Sequence, residues 1–169
     1  MSSTTPSSAD RSNVATQPVD SPGVRIPPPI AYAAAFLTGV GLQRLLPLPF
    51  FPHPIALGLG GALAIGGAAI NLTAVPTMLR KHGTLNTSAP SVALVTTGPY
   101  RFSRNPMYVG LTLIYAGLAS LFAVVWALPL LLLALLDTTI RVIAPEERYL
   151  ERRFGKVYRA YKVRVRRWV

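Results

Sequence analysis

Two groups of polar side chains, separated by a long apolar stretch, have the types needed to bind a charged organic ligand. The first lies in GPYRFSRNPMYVG, residues 98–110, and consists of two phenols, two guanidinium groups and an amide: Tyr100, Arg101, Arg104, Asn105 and Tyr108. Such groups can hold a carboxylate, a sugar hydroxyl and an aromatic ring. The second group is the acidic pair Glu146 and Glu147, which can accept hydrogen bonds or balance a positive charge.

Each group also has an ordinary structural explanation. Arginine and tyrosine side chains anchor helices in the headgroup region of a bilayer. Acidic residues after a proline, here Pro145, complement the dipole at the start of a helix. The composition of each segment alone leaves these explanations open.

The apolar stretch between Gly110 and Glu146 is long enough to form two helices that turn back in a bilayer. Such a hairpin returns the chain to the membrane face from which it started. The sequence therefore predicts that the two polar groups meet at one face of the membrane.

The composition is that of an integral membrane protein of a single domain. Of the 169 residues, 51% are hydrophobic and 14% are charged, against the roughly 25% of charged residues that soluble domains carry. The mean hydropathy is +0.41. There is no cysteine, which excludes disulfides, and there are only two histidines, so we predict no metal site. We expect His53 and His82 at a surface or a membrane interface rather than in catalysis.

Residues 1–27 are rich in Ser, Thr and Pro and contain few bulky apolar groups, so we predict a disordered N-terminal tail. They lack a charged segment followed at once by an apolar core, so we do not identify a cleaved signal peptide. A membrane domain is predicted for residues 28–169.

Four apolar segments predict an all-α polytopic membrane helix bundle, with spans near residues 30–48, 54–75, 107–122 and 124–143. The third and fourth segments form a C-terminal helical hairpin, which an amphipathic tail helix follows. The second segment contains GLGGALAIGG, and its small residues allow close approach of a neighbouring helix. We therefore expect this helix at the centre of the bundle.

Basic residues indicate the orientation of the bundle. They occur in the 76–106 connection and in the tail, whereas the other two connections carry little charge. By the positive-inside rule, both termini and the 76–106 connection lie on the cytoplasmic side. The formal net charge of +11 is concentrated in the tail and favours contact with anionic membrane lipids over nucleic-acid binding.

The two polar motifs together resemble the isoprenylcysteine carboxyl methyltransferase and phospholipid methyltransferase superfamily, in its bacterial-type subgroup that reads RNPMY. The family pattern is roughly LVTxGxYxxxRHPxYxG, then EE, then FGxxYxxY, and the resemblance covers about residues 54–169. The matching positions are Leu94, Val95, Thr96, Gly98, Tyr100, Arg104, Pro106, Tyr108, Gly110, Glu146, Glu147, Phe154, Gly155, Tyr158 and Tyr161. Asn105 stands where the family commonly has His, and an amide cannot act as an acid or base near neutral pH.

The resemblance implies a cofactor, S-adenosyl-L-methionine, bound by the segments 92–110 and 141–161. It implies that the following residues form the cofactor site: Leu94, Val95, Tyr100, Arg104, Asn105, Pro106, Met107, Tyr108, Glu146 and Glu147. Arg141 lies near the family's substrate-contacting arginine, and Asp137 lies one helical turn before it. These two residues are either part of a substrate site or an internal ion pair on one helix face.

The resemblance also implies methyl transfer to a lipophilic acceptor in a membrane, with the bacterial inner (plasma) membrane as the expected location. Without a histidine at the site, carboxyl O-methylation of an isoprenylcysteine-like or other lipidic acid is favoured, because a carboxylate needs no base. The alternative is N-methylation of a phospholipid ethanolamine headgroup. A non-catalytic or reductase-like membrane protein of the same fold is a third possibility. The expected partners are lipophilic or prenylated substrates and membrane lipids.

Overall fold

A computed structural model describes residues 27–50, 52–80 and 93–169 of the protein, and within these ranges five α-helices account for most of the chain. The helices are α1 (Pro28–Leu45), α2 (His53–Arg80), α3 (Pro106–Leu121), α4 (Ala127–Thr138) and α5 (Ala144–Arg164). The described ranges contain no strand, which confirms the predicted all-α membrane bundle. The predicted disordered tail lies outside the described residues except for Pro27, and so does His82.

Two helical segments are long and apolar enough to cross a membrane. One is α2, and the other is the continuous helix Ala127–Arg164, whose apolar part ends near Ile143 with the charged α5 lying beyond it. Helix α3 is apolar over 16 residues. Large hydrophobic side chains such as Leu37, Ile65 and Leu72 are exposed on the outside of the bundle, where lipid would cover them.

Helix α2 is longer than the predicted span of residues 54–75. It continues past Pro76 to Arg80, although a proline removes one backbone hydrogen bond from a helix interior. The hydroxyl groups of Thr73 and Thr77 donate to carbonyl oxygens of the preceding turn at 2.7–3.1 Å. These hydroxyls add hydrogen bonds to the helix on both sides of Pro76.

The most extensive helix contact joins α2 to α3, and glycine makes it possible. Gly60 and Gly67 of α2 face Gly117 and Gly110 of α3, so the two backbones pack directly against each other. A Cβ atom on Gly67 would lie 2.5 Å from the carbonyl oxygen of Gly110, and one on Gly60 would lie 2.9 Å from that of Gly117. The glycine-rich segment therefore packs tightly, as predicted, but through these two positions only.

Helices α3 and α4 form the predicted hairpin, with a short turn at residues 122–126. Helix α1 packs against α4 and also contacts α3, where Tyr32 and Phe36 of α1 lie nearly perpendicular to Tyr115 of α3 at centroid distances of 6.0 and 5.4 Å. The indole nitrogen of Trp126 donates to the carbonyl oxygen of Leu46 at 2.8 Å.

Helix α4 does not end before α5 but passes through a π-helical turn, Thr139–Ile143, directly into it. The direction changes only at Gly155, whose φ of 51° and ψ of −121° suit glycine and few other residues. Beyond this kink, Lys162 contacts Glu151 at 3.1 Å, although eleven residues of straight helix would span about 16 Å. The last part of α5 is thus folded back toward the first.

The residues after α5, Val165–Val169, form an extended segment that we call the C-terminal strap. Arg166 pairs with Ser103 in an isolated parallel bridge. Val165 is buried with Tyr158 and Tyr161. The end of the described chain is therefore fixed next to the segment that precedes α3.

We predict that Gly67→Ala lowers the free energy of unfolding by about 1–3 kcal/mol, because its new methyl group meets backbone that cannot move aside. The matched control is Gly66→Ala, one residue away, where a Cβ atom meets nothing within 4 Å. Thermal unfolding of both variants in detergent measures the difference. Equal stability of the two would contradict the tight contact between α2 and α3.

Candidate functional site

One cavity of about 50 Å³ brings the two predicted polar groups together. It lies between the segment at residues 93–105 and the first turns of α5. Its walls consist of apolar, phenolic and charged side chains: Met78, Ala93, Leu94, Val95, Tyr100, Arg104, Asn105, Ile143, Glu146, Glu147, Leu150, Tyr158 and Tyr161. Seven of the ten predicted cofactor-site residues are among them. The helical hairpin therefore returns Glu146 and Glu147 to the segment that contains Arg104.

A 3₁₀ turn, Gly98–Arg101, positions Tyr100 in the cavity wall. Gly98 has a φ of +62°, which favours glycine, and it lies against the side chain of Thr77 of α2. The hydroxyl group of Tyr161 donates to the carbonyl oxygen of Tyr100 at 2.6 Å, so α5 holds the turn in place.

Two side chains in the wall carry buried donor atoms that make no hydrogen bond to the described residues. They are the hydroxyl group of Tyr100 and the Nε and Nη1 atoms of Arg104, of which Nη1 lies at ion-pair distance from Glu147. Burial raises the pKa of Tyr100, and the nearby carboxyl group of Glu146 raises it further, so the phenol is a neutral donor. Because buried polar groups are rarely left unpaired, these atoms are suited to a ligand.

Glu147 is committed to the protein itself. Its carboxylate is 8% exposed and lies between two guanidinium groups. Arg167 of the strap donates to both oxygens, from Nε at 3.1 Å and from Nη2 at 2.7 Å. Nη1 of Arg104 lies 3.0 Å from Oε1, a distance typical of an ion pair, without forming a hydrogen bond. Glu147 thus ties the strap to α5 and to the segment before α3.

Glu146 differs from its neighbour. It lines the cavity and has no hydrogen bond or ion pair within the described part of the chain. Burial, followed by repulsion from Glu147, raises the pKa of Glu146 from 4.5 to about 7. Its carboxyl group is therefore poised to ionise near neutral pH or when a positive ligand group approaches.

Asn105 also lines the cavity, but its amide nitrogen is bonded to the strap. Nδ2 donates to the carbonyl oxygen of Arg167 at 2.8 Å, and the backbone N–H of Asn105 donates to the hydroxyl of Ser103 at 3.0 Å. The structure therefore gives Asn105 a protein partner in addition to its predicted place beside a cofactor.

The other predicted site residues lie outside the cavity wall. Pro106 and Tyr108 are in the first turn of α3, and Met107 packs against the buried group of Ala74, Val95 and Tyr100. Asp137 and Arg141 form an ion pair of 2.8 Å at i, i+4, with side chains 45% and 77% exposed. The structure does not bring that pair together with the cavity residues.

Arg167 was not predicted as a site residue. Its partners lie 20 and 62 residues away in sequence, and no spacing within the tail indicates them. The density of basic residues in the tail favoured a membrane-interface explanation instead. Among the described residues, no three His, Cys, Asp or Glu side chains cluster in a way that could hold a metal ion.

The sequence matches the phospholipid methyltransferase family over residues 55–157, more than half of the chain, and the protein belongs to that family. The resemblance stated above is thereby confirmed. Members are membrane methyltransferases that typically use S-adenosylmethionine. No curated protein and no solved structure matches the chain.

The raised pKa of Glu146 predicts a pH-dependent stability. Its folded pKa of about 7 exceeds its unfolded value of 4.5, so the stabilising contribution is present below pH 4.5 and is lost as the pH rises through 7. We expect Glu146→Gln to match the parent in stability near pH 4.5 and to have a higher free energy of unfolding at pH 8, by on the order of 1–3 kcal/mol, and therefore a higher unfolding temperature at that pH. Thermal unfolding across this pH range checks it. A difference independent of pH would contradict the raised pKa.

Proposed function

We propose that the protein transfers a methyl group from S-adenosylmethionine to a lipophilic acceptor, and that carboxyl O-methylation of an isoprenylcysteine-like or other lipidic acid is its reaction. One observation carries the proposal: the cavity joins donor atoms of Arg104 and Tyr100 that make no hydrogen bond to the described residues with the carboxyl group of Glu146. These are the complementary partners of a ligand that has both a carboxylate and positive or hydroxyl groups.

The residues present fit this cofactor in chemistry. Arg104 would bind its carboxylate, Glu146 would accept hydrogen bonds from its ammonium or ribose hydroxyl groups, and Tyr100 would donate one hydrogen bond. The cofactor supplies a methyl group on a positively charged sulfur. The cavity of about 50 Å³ is smaller than the roughly 300–1,000 Å³ of typical ligand pockets, so its walls must move apart on binding.

A groove of about 370 Å³ on the membrane side supports a lipophilic acceptor. It runs between α3 and α4 and ends at the strap, and its lining is mostly apolar: Val109, Thr112, Leu113, Leu135, Leu136, Thr139, Trp168 and Val169. The hydroxyls of Thr112 and Thr139 donate to carbonyl oxygens of their own helices at 2.8 and 2.7 Å. Both threonines can thus present methyl groups to a hydrocarbon chain.

A carboxylate acceptor needs little from the protein beyond positioning, since it is already ionised and attacks in line with the leaving sulfur. None of the described cavity residues is a histidine. The arginine-rich surface of α5 would attract an acidic headgroup from the bilayer surface. Together these features favour a lipidic acid.

The second candidate is N-methylation of an ethanolamine headgroup. Two observations favour it: the family is that of phospholipid methyltransferases, and Glu146 has a pKa of about 7. An ammonium group must lose a proton before it attacks, and a carboxylate with this pKa can accept that proton at neutral pH.

We further propose that the cavity faces the cytoplasm across a bacterial inner membrane, because the basic α5 and the 98–105 segment lie at the cavity end of the bundle. The partners proposed are membrane lipids and a lipophilic or prenylated substrate. Neither a nucleic acid nor a metal is required by this chemistry.

The topology is testable by labelling, because the chain has no native cysteine. We expect His53→Cys to react with a membrane-impermeant maleimide added outside intact cells, and Arg164→Cys to react only after the cells are opened. Both positions are exposed in the structure. The reverse pattern would place the cavity on the outer face.

For the cofactor, we predict that Glu146→Gln weakens S-adenosylmethionine binding roughly tenfold to a hundredfold, because a charged hydrogen-bond partner is lost. Calorimetric titration of the purified protein measures it. Glu151→Gln is the matched control on the same helix, since Glu151 is 37% exposed and contacts Lys162 outside the cavity. Equal affinity in both variants would remove Glu146 from the cofactor site.

The acceptor can be identified with S-adenosylmethionine labelled in its methyl group and extracted membrane lipids. A lipid product that releases volatile methanol in alkali is an ester, and supports the carboxyl acceptor. A product that keeps its labelled methyl group in alkali supports the amine acceptor. A protein that binds the cofactor but labels no lipid under either condition would contradict both candidates.

A further inference from the structure

The C-terminal strap lies behind the part of the cavity wall that Arg104, Asn105 and Glu147 form. Its backbone accepts three hydrogen bonds from the segment before α3. The N–H of Arg104 donates to the carbonyl of Arg166 at 2.9 Å, and the carbonyl of Arg167 accepts from Nδ2 of Asn105 at 2.8 Å and from the hydroxyl of Ser103 at 3.4 Å. Its only described side-chain tie to a charged group is the bidentate contact of Arg167 with Glu147. Of the four residues that the strap contacts in this way, Arg104, Asn105 and Glu147 line the cavity and Ser103 does not.

We propose that the strap is a movable support behind this part of the cavity wall and that Arg167 is the latch that holds the wall closed. The inference rests on the proposed function, because it concerns how the cofactor reaches its site. Arg167 is a positioning residue in this scheme: it is paired with Glu147 and does not line the cavity.

The size of the cavity requires a wall that moves. At about 50 Å³ the cavity cannot hold a nucleoside cofactor, for which roughly 300 Å³ or more is typical. The α5 wall is fixed by buried Tyr158 and Tyr161, whose neighbour Val165 is also buried. Residues 166–169, by contrast, are held by the hydrogen bonds and the ion pair described above, so Val165 is a suitable pivot.

The contact between Arg167 and Glu147 can break without leaving a buried charge unpaired. The Arg167 side chain is 40% exposed and can exchange its partner for water. Glu147, which is 8% exposed, would keep Arg104 beside it at 3.0 Å when Arg167 leaves. An unpaired buried charge is what makes breaking most buried ion pairs so unfavourable, and here it is avoided.

The first test needs no cofactor. Ser103→Cys supplies a single thiol under the strap, where Ser103 is 6% exposed and paired with Arg166. We expect Arg167→Gln to speed maleimide labelling of this thiol roughly tenfold or more, since a charge-assisted pair is lost. Arg166→Gln is the matched control: it removes the same charge from the neighbouring, exposed side chain. Equal labelling rates in the two backgrounds would overturn the latch.

The second test separates a latch from a merely structural tie. Stopped-flow association of S-adenosylmethionine should be faster in Arg167→Gln than in the parent and in Arg166→Gln, because the wall opens more often. The association rate of Arg167→Lys should lie between those of the parent and Arg167→Gln, since lysine restores the charge without the bidentate geometry. A slower or unchanged association rate in Arg167→Gln would contradict the proposal.

A cross-link provides the test if Arg167→Gln does not fold. The double variant Ser103→Cys with Arg166→Cys places two thiols at the paired positions of a β-bridge, in a chain with no other cysteine. Oxidation should slow cofactor association at least about tenfold, and a reductant should restore it. Equal association of the oxidised and reduced forms would overturn the movable support. If the parent protein binds no S-adenosylmethionine while the labelling test succeeds, the proposed function fails and the latch stands.

Discussion

A buried carboxylate between two guanidinium groups holds the polar end of this bundle together. Glu147 contacts Arg104 and Arg167, and these three side chains belong to α5, to the segment before α3 and to the strap. In the low dielectric beside a membrane, a buried carboxylate is stable only when its charge is compensated and its oxygens are hydrogen-bonded. The position of the cavity walls therefore follows from this one interaction, whereas the membrane part of the bundle relies on direct backbone packing between α2 and α3.

The adjacent glutamates show how one dipeptide can serve two purposes. Successive residues of a helix point about 100° apart, so Glu146 and Glu147 meet different neighbours although their backbones are joined. Glu147 has both of its oxygens occupied by arginine, and Glu146 has no such partner and a pKa of about 7. The charge on Glu147 contributes to that raised value. Glu147, which has a structural role, thus helps to raise the pKa of Glu146, which faces the cavity.

Local sequence features were sufficient to predict the helices and the meeting of the two polar groups. Apolar length gave the bounds of α1 and α3 within three residues, and the helical hairpin placed Glu146 beside Tyr100. Features that depend on distant contacts could not be predicted. The strap pairs residues more than 60 positions apart, and nothing in a run of basic residues says that Arg167 rather than Arg166 turns inward. Likewise, composition does not show that Gly67 packs against α3 whereas Gly66 does not.

The unbroken passage from α4 through the π turn into α5 makes the site sensitive to the thickness of the bilayer. From Ala127 to the kink at Gly155 the chain is a single helical rod, with its apolar part in the membrane and Glu146 near its other end. The apolar part, residues 127–143, rises only about 25 Å, less than the roughly 30 Å of a typical hydrocarbon layer, and the bilayer thins around a helix that is too short for it. Because no flexible joint separates the two parts, a shift of the apolar part in response to this hydrophobic mismatch carries Glu146 with it relative to Tyr100 and Arg104. The length of the lipid chains therefore affects the position of Glu146 in the cavity through the rod, independently of any molecule bound there.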